Sequence, residues 1–490
     1  MRLKLLLLFL AFCFIQCSDF LEEQSQSEIR PSTVSDMEKI LETMAYPTSE
    51  VGTLLARGTE IFTDNVRSNI VTEASYISMK EKELWRFRWD PQMFNEGGGG
   101  NDITFWSLPY DRIKGCHLIL EYIDDMIGND NRKAHIKGEV YALRAYYYFS
   151  LVNFFGLPYN YGDPSKNLGV PLKLTSGVTD EKFKRNTVKE CYDQIIEDLN
   201  NGIDLMKANQ EGESKLIARM RYTAGYALLS RVYLHMNDWD RVITYADSVL
   251  DVRPQLLDMK ETSTSSTGVY HEYTPTEALW AVRETFDDNW NMMKPCSPSW
   301  DLTDLYTMWD MNYEGASDRR LQNNTLAFFR KDSWSVDGLW RCVIKGQMGK
   351  YWNNGGIRTS EVYLNRAEAY IRKYIVSGNR QEAQQALDDL NMVRRHRFDK
   401  NYVDFTLNDF ANADELLAFC LRERRRELCY ESNHRWFDLR RLGMPEIKHV
   451  FVDQDNGYET EYVLQKEDPR YVLPIPNAVT ERNPNLKGNE

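Results

Sequence analysis

The sequence predicts a mainly α-helical protein with a tetratricopeptide-like scaffold, an irregular loop-rich lobe and little β-structure. Three observations support this prediction. Apolar residues recur at helical spacing, two segments repeat one helix–turn–helix pattern, and long Trp- and Asn-rich stretches interrupt the helices. The 490 residues exceed one ordinary hydrophobic core, which favours a large layered or repetitive fold.

The first strong helical pattern begins near Ile136. Its apolar positions follow one another in steps of three or four residues as far as Phe154, and Gly156 marks its end. A second helix is predicted after Thr187. Thr187 and Glu190 have the spacing of a capping box, in which each side chain accepts a hydrogen bond from a free amide at the helix start.

Two later segments, 224–250 and 363–393, resemble each other. In both, alanines occupy positions where two helices would touch closely, and a short polar break separates the helices. Such units bury their inner faces only by stacking on one another, so further degenerate copies are expected. The candidates are 136–155 with 187–206, and 412–442.

Two irregular stretches, 85–110 and 257–355, are too long to be simple connections in a compact domain. Only 277–282 within the second resembles a strand. The predicted organisation is a signal segment over 1–16, an N-terminal part with helical repeats over 17–256, a loop-rich lobe over 257–355, and C-terminal repeats with a tail over 356–490.

The N-terminus predicts export. Arg2 and Lys4 precede an apolar run that ends at Ile15, which suits a signal peptide and is too short to span a membrane. Cys17 follows at once and the chain then turns polar, which is the arrangement of a bacterial lipoprotein cleaved and acylated at Cys17. A plain secreted protein with a leftover cysteine is the alternative.

Composition and cysteine spacing argue against nucleic-acid-binding and zinc-binding classes of protein. A formal net charge of −13 and the lack of a concentrated basic segment argue against nucleic acid as a partner. The six cysteines after Cys17 are far apart and include no C-x-x-C pair, so buried free thiols are expected rather than a zinc site. No metal or other cofactor is predicted.

Several motifs, taken in order, resemble the SusD-like (RagB/SusD) lipoproteins of certain Gram-negative bacteria, and the resemblance spans nearly the whole chain after residue 16. The two repeat segments belong to it. The other matching segments are 17–21 (CSDFL), 106–113 (WSLPYDRI), 138–149 (GEVYALRAYYYF), 151–156 (LVNFFG), 423–431 (ERRRELCYE), 434–441 (HRWFDLRR), 473–476 (LPIP) and 483–484 (NP).

This resemblance implies a tetratricopeptide-like scaffold that carries an irregular ligand-binding lobe. It further implies a surface-exposed lipoprotein of the outer membrane, a SusC-like TonB-dependent transporter as partner, and an oligosaccharide or polysaccharide as ligand. Some relatives handle peptides or other nutrients, so a non-glycan ligand is an open alternative. A tetratricopeptide adaptor that binds a protein segment is a further alternative.

Glycan capture needs flat aromatic faces for sugar C–H patches, and polar side chains that match neighbouring hydroxyls. Most tryptophans of a large protein belong to its core, so those in irregular segments are the better candidates. Trp300 lies in a segment typical of the family, which favours a structural role for it. The resemblance adds Asp64, Asn65 and Arg67, which it implies lie where the family's first loop approaches the ligand. The predicted ligand-binding residues are therefore Asp64, Asn65, Arg67, Trp89, Asn101, Trp290, Asn291 and Tyr313.

The charge run 422–427 (RERRRE) is interpreted as an ion-pair network rather than an anion site, because opposite charges recur three and four residues apart. An enzyme is not predicted. The sequence has no H-E-x-x-H, no G-x-S-x-G and no phosphate-binding loop, and no specific pair of catalytic carboxylates can be chosen from it.

Overall fold

In a computed structural model the chain is described over most of its length. The described residues are 31–48, 51–52, 54–55, 58–71, 74–97, 100–177, 180–260, 276–283, 296–307, 318–322, 328–331, 340–343, 352–486 and 488. The predicted signal segment and Cys17 lie outside them. Within these ranges, no helix combines the length and the apolar character needed to cross a bilayer.

Helices form the scaffold, as predicted. In chain order they are α1 (Val34–Ile40), α2 (Ala74–Phe87), α3 (Thr104–Tyr122), α4 (Asp130–Phe155), α5 (Val188–Ala208), α6 (Tyr222–Met236), α7 (Trp239–Leu250), α8 (Trp300–Thr307), α9 (Arg319–Gln322), α10 (Thr359–Ser377), α11 (Arg380–Arg395), α12 (Ala413–Leu428), α13 (His434–Arg441) and α14 (Asn477–Arg482). Each of α3 to α6 packs on the next helix, and α10 packs on α7, α11 and α12.

The two predicted helix–turn–helix units are the pairs α6–α7 and α10–α11. Asn237, with φ 60°, turns the chain after α6, and the Asp238 side chain accepts a hydrogen bond from the amide of Arg241. Gly378, with φ 69°, does the same after α10, and Asn379 caps α11. Left-handed conformations favour Gly and Asn, so the sequence itself predicts these short breaks between helices.

A third helix pair, α4–α5, confirms the expected further copy. Two glycines allow its helices to cross closely, because a Cβ on Gly138 would lie 2.7 Å from the carbonyl oxygen of Gly202, and the reverse holds. The predicted capping box at the start of α5 is present. Thr187 Oγ1 accepts from the amide of Glu190 at 3.1 Å, and Glu190 Oε2 accepts from the amide of Thr187 at 2.8 Å.

The β-structure in the described ranges consists of four two-stranded antiparallel sheets. They pair β1 (Val66–Ser68) with β3 (Cys296–Pro298), β2 (Ala278–Arg283) with β6 (Trp352–Arg358), β4 (Phe328–Lys331) with β5 (Trp340–Val343), and β7 (Ile447–Val452) with β8 (Glu459–Leu464). The strand-like pattern over 277–282 is thus confirmed as β2. The β7–β8 hairpin was not predicted.

A buried ion-pair network joins the helices to the small sheets. Its centre is Glu427 on α12, which accepts hydrogen bonds from Arg320 at 2.9 Å, from Arg397 at 2.9 Å and from Arg358. Arg358 and Arg397 also pair with Glu277, just before β2. Burial alone would raise the pKa of Glu427, but the three guanidinium groups hold that pKa well below its usual range.

Glu423, one turn before Glu427, extends the network to Arg320, Arg394 and Arg426. These side chains are buried, so the interpretation of the 422–427 run as an ion-pair network inside the protein is confirmed. The cysteine prediction is also confirmed for the five described thiols. The thiols at positions 116, 191, 296, 420 and 429 are buried, and none of them is part of a disulfide bond.

Replacing Glu427 with Gln should destabilise the protein by about 3–5 kcal/mol, because the change leaves buried guanidinium groups without their shared carboxylate. Urea unfolding at neutral pH measures this loss. The matched control is Glu461→Gln, which removes a half-exposed partner of Lys448 and should cost less than about 1 kcal/mol. Equal losses in the two variants would contradict a central role for Glu427.

Candidate functional site

Asp64 lies at a corner of the structure where the segment before β1 meets α12 and α13. Both of its carboxylate oxygens accept hydrogen bonds from Arg435, at 2.7 and 2.6 Å, and Arg425 approaches to 3.4 Å. Burial alone would raise the pKa of Asp64, but the two arginines hold it well below its usual range. Asp64 therefore has a structural role in this corner, where its charge is already matched.

Asn65 is fully buried beside Asp64. Its Nδ2 donates to Glu60 Oε1 at 2.6 Å, and its Oδ1 accepts from Arg425 Nε at 2.8 Å. The expectation that Asn65 offers its amide to a ligand is wrong. The amide group is enclosed and both of its ends already have partners within the protein.

Trp89 is also fully buried, which corrects the expectation of an exposed aromatic platform. Its Nε1 donates to the carbonyl oxygen of Phe62 at 3.0 Å, and its ring stacks on His449 of β7 with centroids 4.0 Å apart. The physical reason is local. Trp89 follows the end of α2 with φ 52°, an uncommon conformation for a bulky residue, and its side chain packs into the core.

Exposed aromatic surface is found at Trp300 instead. Ser299 caps the start of α8, because its Oγ accepts a hydrogen bond from the backbone amide of Leu302 at 3.3 Å. The same hydroxyl donates a hydrogen bond to the carbonyl oxygen of Asp64 at 2.6 Å. Trp300, the first residue of the helix, is 46% exposed. The same serine therefore begins the helix and fixes it to the Asp64 corner.

Arg67 lies between Trp300 and the β7–β8 hairpin. Its guanidinium group is 5.1 Å from the centre of the Trp300 ring, and its Nη2 donates to Glu459 Oε1 at 3.1 Å. Tyr458, next to Glu459 at the end of the hairpin turn, is 75% exposed. We call the group of Arg67, Trp300, Tyr458 and Glu459 the Trp300 surface.

The Trp300 surface combines the two elements that sugar recognition requires. An aromatic face can stack on the C–H patches of a pyranose ring, and the exposed carboxylate of Glu459 accepts hydrogen bonds from hydroxyls, while the buried Arg67 holds this carboxylate in place. The packing of Arg67 against Trp300 and its bond to Glu459 limit the motion of these side chains before a ligand arrives, which lowers the entropic cost of binding.

The other candidates are not brought to this surface by any described contact. Asn101 is exposed and has φ 52°, and its backbone N–H donates a hydrogen bond to the carbonyl oxygen of Asn95 at 3.2 Å. Trp290, Asn291 and Tyr313 lie outside the described residues. Ligand contact by Asn101 and by these three residues stays a prediction.

Sequence reasoning missed Trp300, Tyr458 and Glu459 as parts of one surface. A signal was present for Trp300, since a serine directly before it can cap a helix and leave the next side chain in the exposed first turn. The run Asp455-Asn456-Gly457 before Tyr458 is likewise typical of a hairpin turn. Their proximity to Arg67 depends on pairing across more than 200 residues, which no local pattern encodes.

Comparison with known proteins defines the class of this chain. A family model described as starch-binding associating with outer membrane matches residues 19–234, and a second, described as the SusD family, matches residues 344–490. The chain belongs to the SusD-like (RagB/SusD) family, as its motifs indicated.

Individual relatives are distant in sequence but similar in fold. SusD-like protein P2 of Formosa agariphila is 22% identical over 427 residues, which is 79% of each chain. One structure from Bacteroides vulgatus has a TM-score of 0.69 at 24% identity, covering 94% of this chain and 99% of its own. A SusD superfamily structure from Bacteroides thetaiotaomicron has a TM-score of 0.68 at 20% identity, covering 94% and 100%.

Glu60, which accepts a hydrogen bond from Asn65 in the Asp64 corner, should make the free energy of unfolding depend on pH. Burial raises the pKa of Glu60 to about 7, and its Oε2 has no hydrogen-bond partner among the described residues. Because the folded protein holds this proton more tightly than the unfolded chain does, the stabilisation is present below about pH 4.5 and is lost as pH rises through about 7. The loss should reach at most about 3 kcal/mol.

The measurement is the unfolding free energy of the parent protein and of Glu60→Gln across this pH range. The parent should lose stability relative to the variant as pH rises, because glutamine cannot ionise. Glu446→Gln, which changes an exposed carboxylate, is the control and should follow the parent. A constant difference between parent and Glu60→Gln at all pH values would contradict the assignment.

Proposed function

We propose that this protein is a surface lipoprotein of the outer membrane that binds a glycan and delivers it to a SusC-like TonB-dependent transporter. The observation that carries the proposal is the exposed Trp300 ring, positioned by Arg67 and bordered by Glu459. A sugar ring stacked on the open part of Trp300 would bring its hydroxyl groups close to the exposed carboxylate of Glu459.

The relatives support this ligand class. One family model is described as starch-binding, and the solved relatives include a SusD-like carbohydrate-binding protein from Bacteroides vulgatus. Members of the family are binding proteins rather than enzymes. The proposed mechanism is therefore capture without chemistry, in which stacking and hydrogen bonds hold the glycan and the ligand leaves unchanged.

The proposed delivery to a transporter is supported by the family resemblance and by the predicted acylation site. Acylation at Cys17 would hold the protein at the outer membrane, next to any barrel that imports the captured glycan. The high local concentration produced by a shared membrane and a shared partner means that modest affinity at the Trp300 surface would suffice.

Trp300→Ala should weaken glycan binding at least about tenfold, because it removes the aromatic face while leaving Ser299 to start the helix. Affinity gel electrophoresis with amylopectin, arabinoxylan, laminarin and mannan measures the effect on whichever polysaccharide retards the parent protein. Trp239→Ala is the matched control, since Trp239 likewise is the first residue of a helix and lies beneath an arginine, Arg372, at 5.7 Å. The control should bind as the parent does.

Two results would overturn the glycan proposal. One is unchanged retardation of a folded Trp300→Ala variant, which would move binding away from this surface. The other is the lack of retardation by all four polysaccharides together with saturable binding of a casein peptide digest, which would favour the peptide-binding alternative.

Cys17→Ala should release the protein from the outer-membrane fraction, because the change removes the proposed acylation site. Metabolic labelling with palmitate and membrane fractionation measure this outcome, with Cys13→Ala as the matched control that should remain labelled and attached. The unaltered protein should copurify with a TonB-dependent barrel from detergent-solubilised membranes. Labelling that persists in Cys17→Ala would contradict the anchor, and purification without any barrel would contradict the partner.

A further inference from the structure

A cavity of about 320 Å³ lies between α3, the residues Pro171, Lys173 and Phe183, and the C-terminal helix α14. It shares no residue with the Trp300 surface. Its lining combines half-buried aromatic rings, small apolar side chains of α14 and two cationic side chains. The residues on which the argument depends are Trp106, Tyr110, Phe183, Ala478, Lys173 and Arg482.

The walls of the cavity are held in place by hydrogen bonds within the chain. Asn483 Nδ2 donates to the carbonyl oxygen of Phe183 at 2.8 Å, and Lys182 Nζ donates to the carbonyl oxygen of Arg482 at 3.1 Å. Tyr110 donates its hydroxyl to the carbonyl oxygen of Pro171 at 2.8 Å. The cavity is therefore preformed, and the Tyr110 hydroxyl is already used within the protein.

Size and lining restrict the ligand. The volume is near the lower end of the range for small-molecule sites, which suits a single ring rather than an oligosaccharide. Trp106 packs against Tyr110 with centroids 5.2 Å apart, so one wall is an aromatic surface. With the Tyr110 hydroxyl engaged, few polar groups remain for the many hydroxyls of a sugar, and an aromatic or other apolar ring fits better.

The charged groups at the cavity favour an anion. Lys173 Nζ lies 6.0 Å from the Phe183 ring centre and donates to the carbonyl oxygen of Gly177. Arg482 is exposed and forms no ion pair with any described residue. Acidic residues occur nearby, at Asp180 and Glu181, but they do not line the cavity.

We propose that this cavity binds a small aromatic carboxylate. Its ring lies against Trp106 and Phe183, and its carboxylate pairs with Arg482 and Lys173. An arginine matches a carboxylate with two parallel hydrogen bonds, which gives selectivity for the charged group over a neutral amide of the same shape. The site is separate from glycan capture, so the protein would hold two ligands of different chemistry.

Isothermal titration calorimetry of the purified protein with 3-phenylpropanoate and with 3-phenylpropanamide tests the proposal. The carboxylate should bind roughly fivefold to tenfold more tightly than the amide. Arg482→Gln should remove this preference, while Arg380→Gln, which changes an exposed arginine at the start of α11, should keep it. Ala478→Trp should abolish binding of both probes by filling the cavity.

Three outcomes would overturn the proposal: equal affinity for the two probes, no saturable binding of either, or unchanged binding in the Ala478→Trp variant. Circular dichroism of each variant establishes that it is folded. Trp300→Ala should leave carboxylate binding unchanged, and Ala478→Trp should leave polysaccharide retardation unchanged, so failure of one site is distinguishable from failure of the other.

Discussion

Buried pairing of arginine with carboxylate is the interaction on which the rest of this structure depends. The single carboxylate of Glu427 forms ion pairs with Arg320, Arg358 and Arg397. These arginines come from α9, from the end of β6 and from the residues after α11. Removing charges from water costs several kcal/mol per ion, so such groups can be buried only when every member finds its partners. The network therefore permits one arrangement of these segments and penalises others.

The same kind of pairing extends through the helical scaffold. Arg231 on α6 pairs with Glu361 on α10, and Arg441 on α13 pairs with Glu368 on α10. These contacts join helices more than 70 residues apart in the sequence. Apolar packing brings helices together without much direction, whereas bidentate ion pairs fix their relative positions. Stacked helix pairs and buried charges thus act as one framework.

The candidate glycan surface is a product of this framework. Arg425 and Arg435, from α12 and α13, hold Asp64, and Ser299 then connects the Asp64 corner to the helix that exposes Trp300. Polar residues near a binding surface can therefore be structural supports rather than ligand contacts. The prediction for Asn65 was wrong for this reason. The prediction that the Trp89 ring is exposed was wrong because this ring stacks on His449 in the core.

The sequence by itself determined the helices, their caps and the repeated helix pairs, because these follow from the spacing of apolar residues and from local turn chemistry. The family was recognised separately, from the resemblance of its motifs in their order along the chain. It also identified the 422–427 run as an ion-pair network. The exposure of each aromatic ring, the joining of Arg67, Trp300 and Glu459, and the cavity beside α14 were decided only by the tertiary structure. These features depend on contacts between segments hundreds of residues apart, and local patterns carry no information about which distant side chains will cover a ring or leave it open to water.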